Sequence, residues 1–213
     1  MLSWLGEYGF EYLKSHNEFR RTNKHAVSHI RISATTRNRS VYSLAFHLSV
    51  QIKEVEAWLL NLKGEKRKLK RRDQTIWNFT MNIGPGSPHW TCPMEGTWLF
   101  SSREDFDERS PDISAFVEKL ALPFVIENQN PHIIRRTLIE TPGRAQSLWP
   151  YESVLAIDYL YGSQSQAEAD IDLLEKRYSG HIPRFRQRFH DFVQAFRMAT
   201  KFQKGTQQDG RSG

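Results

Sequence analysis

The polar and apolar positions change period partway along the chain. From Tyr42 to Ile52, Leu44, Phe46, Leu48, Val50 and Ile52 alternate with Ser43, Ala45, His47, Ser49 and Gln51. A period of two over this length predicts a half-buried strand. Ser28 to Ala34 repeats the pattern with Ile30, Ile32 and Ala34, and Glu18 to Thr22 predicts a shorter strand around Phe19. Arg37 to Ser40 is a polar turn, so the two longer strands predict an antiparallel meander with one covered face. Residues 2–15 predict a short amphipathic helix with Leu2, Leu5, Tyr12 and Leu13 on one face, weakened by Gly6 and Gly9. Val55, Leu59 and Leu62 predict a helix ending at Lys63-Gly64, where Gly64 suits a left-handed cap. Ile76 to Ile83 predicts another strand, stopped by Gly84-Pro85-Gly86, and Thr97 to Phe100 a further one.

The period then becomes helical. Ser110-Pro111-Asp112 is a helix-start signal for the stripe Ile113, Phe116, Val117, Leu120, Phe124 and Val125, which Pro123 should kink or end. Helices are predicted over 132–140, 151–161 and 165–178. The last begins near Pro183, with Phe185, Phe189, Phe192, Phe196 and Ala199 forming one core-facing stripe. Strands first and helices after predict an α+β fold: an antiparallel meander with flanking helices, then a helical half. The expected division is a sheet-containing unit over 1–104, a helical unit over 111–203 packed against it, and a loose tail over 204–213.

Composition supports a folded chain, since 38% hydrophobic residues with six Trp and thirteen Phe supply a core. Cys92 is the single cysteine, so an internal disulfide is excluded and a reducing cytosol fits. No basic start followed by an apolar run opens the chain, and no stretch approaches ~20 apolar residues. A cytoplasmic protein without a membrane span is expected.

Charge changes the picture at one place. Residues 63–73 hold seven Lys or Arg and two acids, while the whole chain carries only +6. The basicity therefore belongs to one segment linking a predicted helix to a predicted strand. Lys63, Lys66, Arg67, Lys68, Lys70, Arg71 and Arg72 are the candidate contact residues. They suit docking of an acidic partner protein, since complementary charge speeds encounter. The alternative is contact with nucleic-acid phosphates, which releases counterions and is salt-sensitive. Groove readers usually interleave aromatic or amide side chains, which this run lacks. Arg184, Arg186, Arg188 and Arg197 on the last helix form a second positive face, partly offset by Asp191 and Glu175.

Catalytic and metal motifs fail on spacing. His25 and His29 are four apart, but four residues of strand separate them by ~13 Å, too far for one ion. His89 and Cys92 lie in a Pro-rich loop, and with His47 they are the scattered suspects for an enzyme. Asp112 with Glu118-Lys119 lacks the strand spacing of a metal-dependent nuclease. Glu54 and Glu56 open a helix, where acids favour the dipole. Gly84-Pro85-Gly86 lacks the Lys-Ser/Thr of a phosphate loop. The sequence thus assigns no catalytic residue, no metal ligand and no cofactor.

Gly9-Phe10-Glu11-Tyr12-Leu13-Lys14-Ser15, then Phe19-Arg20-Arg21, then the long strand passing from Ser49-Val50-Gln51-Ile52 into Glu54-Val55-Glu56, resembles bacterial domain-of-unknown-function families. The same stretch, about residues 5–104, is similar to immunity-like proteins. The resemblance implies an α+β fold and a bacterial source; the expected role, a non-enzymatic, protein-binding one of the immunity-like or defence-associated kind, rests on the lack of a catalytic motif and on the concentrated basic run. The resemblance implies no catalytic residue.

Overall fold

The computed structural model describes residues 2–38, 41–62, 79–83, 98–140 and 150–208. Six strands form one antiparallel sheet: β1 (Glu11–Leu13), β2 (Glu18–Thr22), β3 (Ala26–Asn38), β4 (Val41–Ile52), β5 (Phe79–Ile83) and β6 (Trp98–Phe100). Their order follows the chain from β1 to β5, and β6 pairs with the outer end of β4. Seven α-helices among the described residues accompany them: α1 (Lys53–Leu62), α2 (Arg103–Phe116), α3 (Leu122–Glu127), α4 (Pro131–Glu140), α5 (Pro150–Tyr161), α6 (Gln164–Tyr178) and α7 (Pro183–Gln208). The α+β class follows from this arrangement. Among the described residues no helix is long and apolar enough to cross a membrane.

Alternation in β4 produces the core as its sequence requires. Phe46, Leu48, Val50 and Ile52 are buried, and Ile30 of β3 lies opposite Leu48 in register. Ser28 shares that buried face, and its hydroxyl donates to the Val125 carbonyl at 3.1 Å while accepting from Gln129 Nε2 at 2.9 Å. Helix ends leave carbonyls without intrahelical donors, so a buried serine beside the last turn of α3 satisfies both groups. Gln129 Oε1 accepts in turn from Asn23, whose own side chain caps the β2–β3 turn through the amides of His25 and Ala26. This chain of bonds fixes α3 on the sheet.

Three expectations need correction. Residues 2–15 are not a helix: a 3₁₀ turn, Ser3–Tyr8, stops at Gly9, which adopts φ +76°, and the chain then extends into β1. Glycine reaches this left-handed region without steric cost, which breaks the helical run there. The helix placed at Ser110 begins at Arg103, with Pro111 inside it and exposed. Its start is made by Ser102, whose hydroxyl accepts from the Asp105 amide, while Asp105 Oδ2 accepts from the Ser101 amide. The Ser102 cap, with Asp105 tying back Ser101, sets the start, and Pro111 falls in the helix interior. The helical run does not end at Pro123: a π turn over Val117–Ala121 precedes it, Pro123 occupies the first turn of α3, and the run continues to Glu127. A first-turn proline has no hydrogen bond to lose.

The chain forms two compact units, Met1–Lys53 with Ile76–Ser147, and Glu54–Thr75 with Leu148–Gly213. In this division helices α2 to α4 belong with the sheet, and α1 with α5 to α7. Helix α7 also continues to Gln208, into the stretch expected as a tail. In the helical unit, α5 is buried at every position from Tyr151 to Asp158, flanked by α6 and α7. Tyr151 stands edge-on to Phe189 and Phe192 of α7.

Candidate binding surfaces

The basic run Lys63, Lys66, Arg67, Lys68, Lys70, Arg71 and Arg72 lies outside the described residues, as do His89 and Cys92. Helix α1 ends at Leu62, immediately before the run. Of the three residues suspected for an enzyme, His47 alone is described; it lies in β4, opposite Arg31. Of the imidazole pair, His25 precedes β3 and His29 is bound elsewhere, as described below. Among the described residues no group of three or more His, Cys, Asp or Glu is placed to hold a metal ion.

The arginines of α7 face acids. Arg197 Nη2 donates to Glu168 Oε2 at 2.6 Å, and Arg188 lies 3.8 Å from Glu152. Arg184 and Arg186 are exposed. The acids expected to offset this face have other contacts: Asp191 accepts from Gln187 and Glu175 lies 3.8 Å from His190.

Strand register assembles a group that sequence spacing did not reveal. In β2–β3, Glu18 stands opposite Arg31 and Arg20 opposite His29, so all four share one face. Glu18 is 1% exposed. Its Oε1 lies 2.6 Å from His29 Nδ1 and accepts from Arg20 Nε and Nη2 at 3.3 and 3.2 Å. Its Oε2 accepts from Arg31 Nε and Nη2 at 3.3 and 3.0 Å. Burial alone pushes this carboxyl up. The His29 hydrogen bond and charge, the Arg31 hydrogen bond and the Arg20 charge outweigh burial and hold it at about 2. The carboxylate is therefore ionised and acceptor-only at neutral pH, which assigns the Nδ1 proton to His29. A buried charge without such partners would cost several kcal/mol, so the four residues stand as a set. The guanidiniums remain reachable, with Arg20 and Arg31 side chains 41% and 50% exposed. Glu11 lies opposite Arg20 in the β1–β2 register, and His47 opposite Arg31 in β3–β4.

In the helical unit, a cavity of about 470 Å³ lies where Trp58 of α1, Tyr159 of α5 and Phe196 of α7 meet the start of α6. Glu54 and Trp58 are four apart on α1 and share a face. Glu54 Oε2 accepts from the Tyr161 hydroxyl at 2.6 Å, and Trp58 packs on Tyr159 with ring centres 5.2 Å apart. Burial first, then the bond to Glu54 and its charge, push the Tyr161 phenol above its usual range. Phe196 meets Trp58 edge-on at 5.7 Å. Glu168 is the ionisable lining residue, and its side chain is 42% exposed. The size lies within the usual range for ligand sites.

No family model, curated protein or solved structure matches the chain.

Proposed function

We propose that this protein is a non-enzymatic binding protein that docks an acidic protein partner. The observation supporting the reading is the guanidinium pair Arg20 and Arg31. Both are oriented by one buried carboxylate, and both stay half-exposed. Holding a guanidinium in place before contact removes part of the ordering cost of binding. An arginine offers five N–H donors, so groups remain for an incoming carboxylate after Glu18 takes its share. Glu11 and Glu18 balance the two arginines locally, so the pair contributes geometry more than field. Long-range attraction is assigned to the basic run, Lys63 and Lys66 to Arg72, which carries most of the chain's net charge. The resemblance to immunity-like proteins agrees with a protein partner. Binding of nucleic acid through the basic run is the second reading, favoured by that run's density of cations.

Fluorescence anisotropy separates the two. The probes are a labelled Glu/Asp-rich peptide and labelled single- and double-stranded DNA and RNA, at low and physiological salt. The variants are Arg20→Lys with Arg31→Lys, which keep a cation beside Glu18 and lose the planar fork, and a second chain with Lys66, Arg67, Lys68, Lys70, Arg71 and Arg72 changed to Ser. Peptide binding weakened by the sheet variant supports the proposal. Nucleic-acid binding that survives physiological salt and disappears in the basic-run variant replaces it with the second reading. Absence of binding to every probe overturns both.

A further inference from the structure

The cavity in the helical unit has a different chemical character from the sheet face. Its walls include three aromatic rings, and its ionisable residue is an acid. Ring faces carry the negative end of an aromatic quadrupole, so the half-buried Trp58 and Tyr159 favour a cation and disfavour an anion, while Phe196, 3% exposed, backs Trp58 edge-on. Glu168 accepts from Arg197 through both oxygens, at 2.6 and 3.4 Å. A carboxylate has about four lone-pair sites, so a second donor can share it. The acid row continues along α6: Glu168, Asp172 and Glu175 fall at steps of four and three on one face. By helix rise they span ~10 Å. Asp172 and Glu175 also border a shallow depression with Lys176 and Ser179. The cations facing this row are Arg197 and His190 from α7, with Lys176 and Arg177 at its far end. Arg197 already shows what the row accepts, because its guanidinium spans the Glu168 carboxylate.

We propose that this cavity docks an arginine-bearing segment of a basic peptide, with one guanidinium entering it beside Glu168, against the exposed part of the Trp58–Tyr159 pair, and the next lying over Asp172 and Glu175. Arginine fits better than lysine because its planar head stacks on Trp58 while its edge donates to a carboxylate. About three extended residues cover the distance from Glu168 to Glu175, so the two arginines should be two or three residues apart. The site lies wholly in the helical unit and uses none of the residues assigned to the acidic partner.

Isothermal titration of the full chain tests this with a capped peptide of alternating Arg and Gly. The comparison peptide has citrulline in place of arginine, keeping shape and losing charge. Tetramethylammonium chloride serves as competitor, to distinguish guanidinium recognition from that of any ammonium. The arginine peptide should bind, and the citrulline peptide should bind about tenfold more weakly. Trp58→Ala should cost about tenfold, whereas Trp58→Phe, which keeps a ring, should stay within about threefold of the parent. The exposed triple variant Glu168→Gln, Asp172→Asn, Glu175→Gln should lose about threefold per charge without affecting folding. Equal binding of the two peptides, full displacement by low tetramethylammonium, indifference to both the Trp58→Ala and the triple variant, or no binding would each overturn the proposal.

Discussion

Replacing Glu18 by Gln removes the charge at the centre of the sheet network and keeps its shape. Arg20 and Arg31 are half-exposed and can turn to water, whereas His29 is 5% exposed and loses a partner at 2.6 Å. The magnitude follows from linkage. The Glu18 carboxyl falls from 4.5 to about 2 on folding, and each unit of difference is worth about 1.4 kcal/mol. Its charge therefore contributes roughly 3 kcal/mol at neutral pH, a large part of a typical domain's stability. The folded value is the lower one, so the contribution is complete above the unfolded value of 4.5 and fades as pH falls towards 2. Urea unfolding of parent and Glu18→Gln at pH 7, 5 and 3 measures it. The difference should be about 3 kcal/mol at the two higher values and about 1 kcal/mol at pH 3. Subtracting the variant cancels the acid response of other carboxylates. A difference that ignores pH, or one below about 0.5 kcal/mol at pH 7, would refute the claim that ionised Glu18 holds this face together.

Leu48→Ala, at a fully buried position of β4, should cost about 3 kcal/mol in the same unfolding assay, and a cost under 1 kcal/mol would place Leu48 outside the core. Ser102→Ala should remove the cap of α2 and about 1 kcal/mol, whereas Ser102→Asp should restore most of it. Gly9→Ala should destabilise by about 1 kcal/mol because φ is +76°, even though the nearest atom a new Cβ would meet is 3.9 Å away. In an ultraviolet difference titration, Tyr161 should ionise above the ordinary tyrosine range, and Glu54→Gln should bring it down.

The sheet was legible from the chain where one period ran long enough. Phe46, Leu48, Val50 and Ile52 of β4 are buried as the alternation requires, although Ser49 between them is buried too and Leu44 is half-buried. The start of α2 was misplaced because Pro111 is a conspicuous signal and drew attention from the Ser-x-x-Asp cap pattern of Ser102 and Asp105. The Glu18 network was invisible for a different reason. Glu18, His29 and Arg31 are separated by 11 and 13 residues, and only the exact pairing of β2 with β3 brings them to one carboxylate. A one-residue slip would send Arg31 to the opposite face. A usable sign was present all the same: Glu18 and Arg20 alternate with Phe19, just as His29 and Arg31 alternate with Ile30. The aromatic cavity needed still more, since Trp58 and Tyr159 are about a hundred positions apart and meet through tertiary packing alone. Its acid row was readable on α6, where Glu168, Asp172 and Glu175 follow Ala167, Ile171 and Leu174 one step behind.

The π turn at Val117–Ala121 has an evolutionary consequence. Ile113, Val117, Ala121 and Val125 recur every four residues, and all are buried. On an uninterrupted α-helix each such step overshoots a full circle by about 40°, so by Val125 the row would have drifted about a third of the way round. The wider turn takes up that excess and brings Val125 back to the side where its carbonyl meets Ser28. The segment therefore reads as a helix that has absorbed one inserted residue. Surface helices commonly absorb a single-codon deletion near their ends. Here the same deletion would be absorbed in mid-helix: eleven residues of regular α-helix make three turns plus about 20°, so the flanks stay in phase, and descendants of this gene should vary in length at 117–121 as well as in side chain.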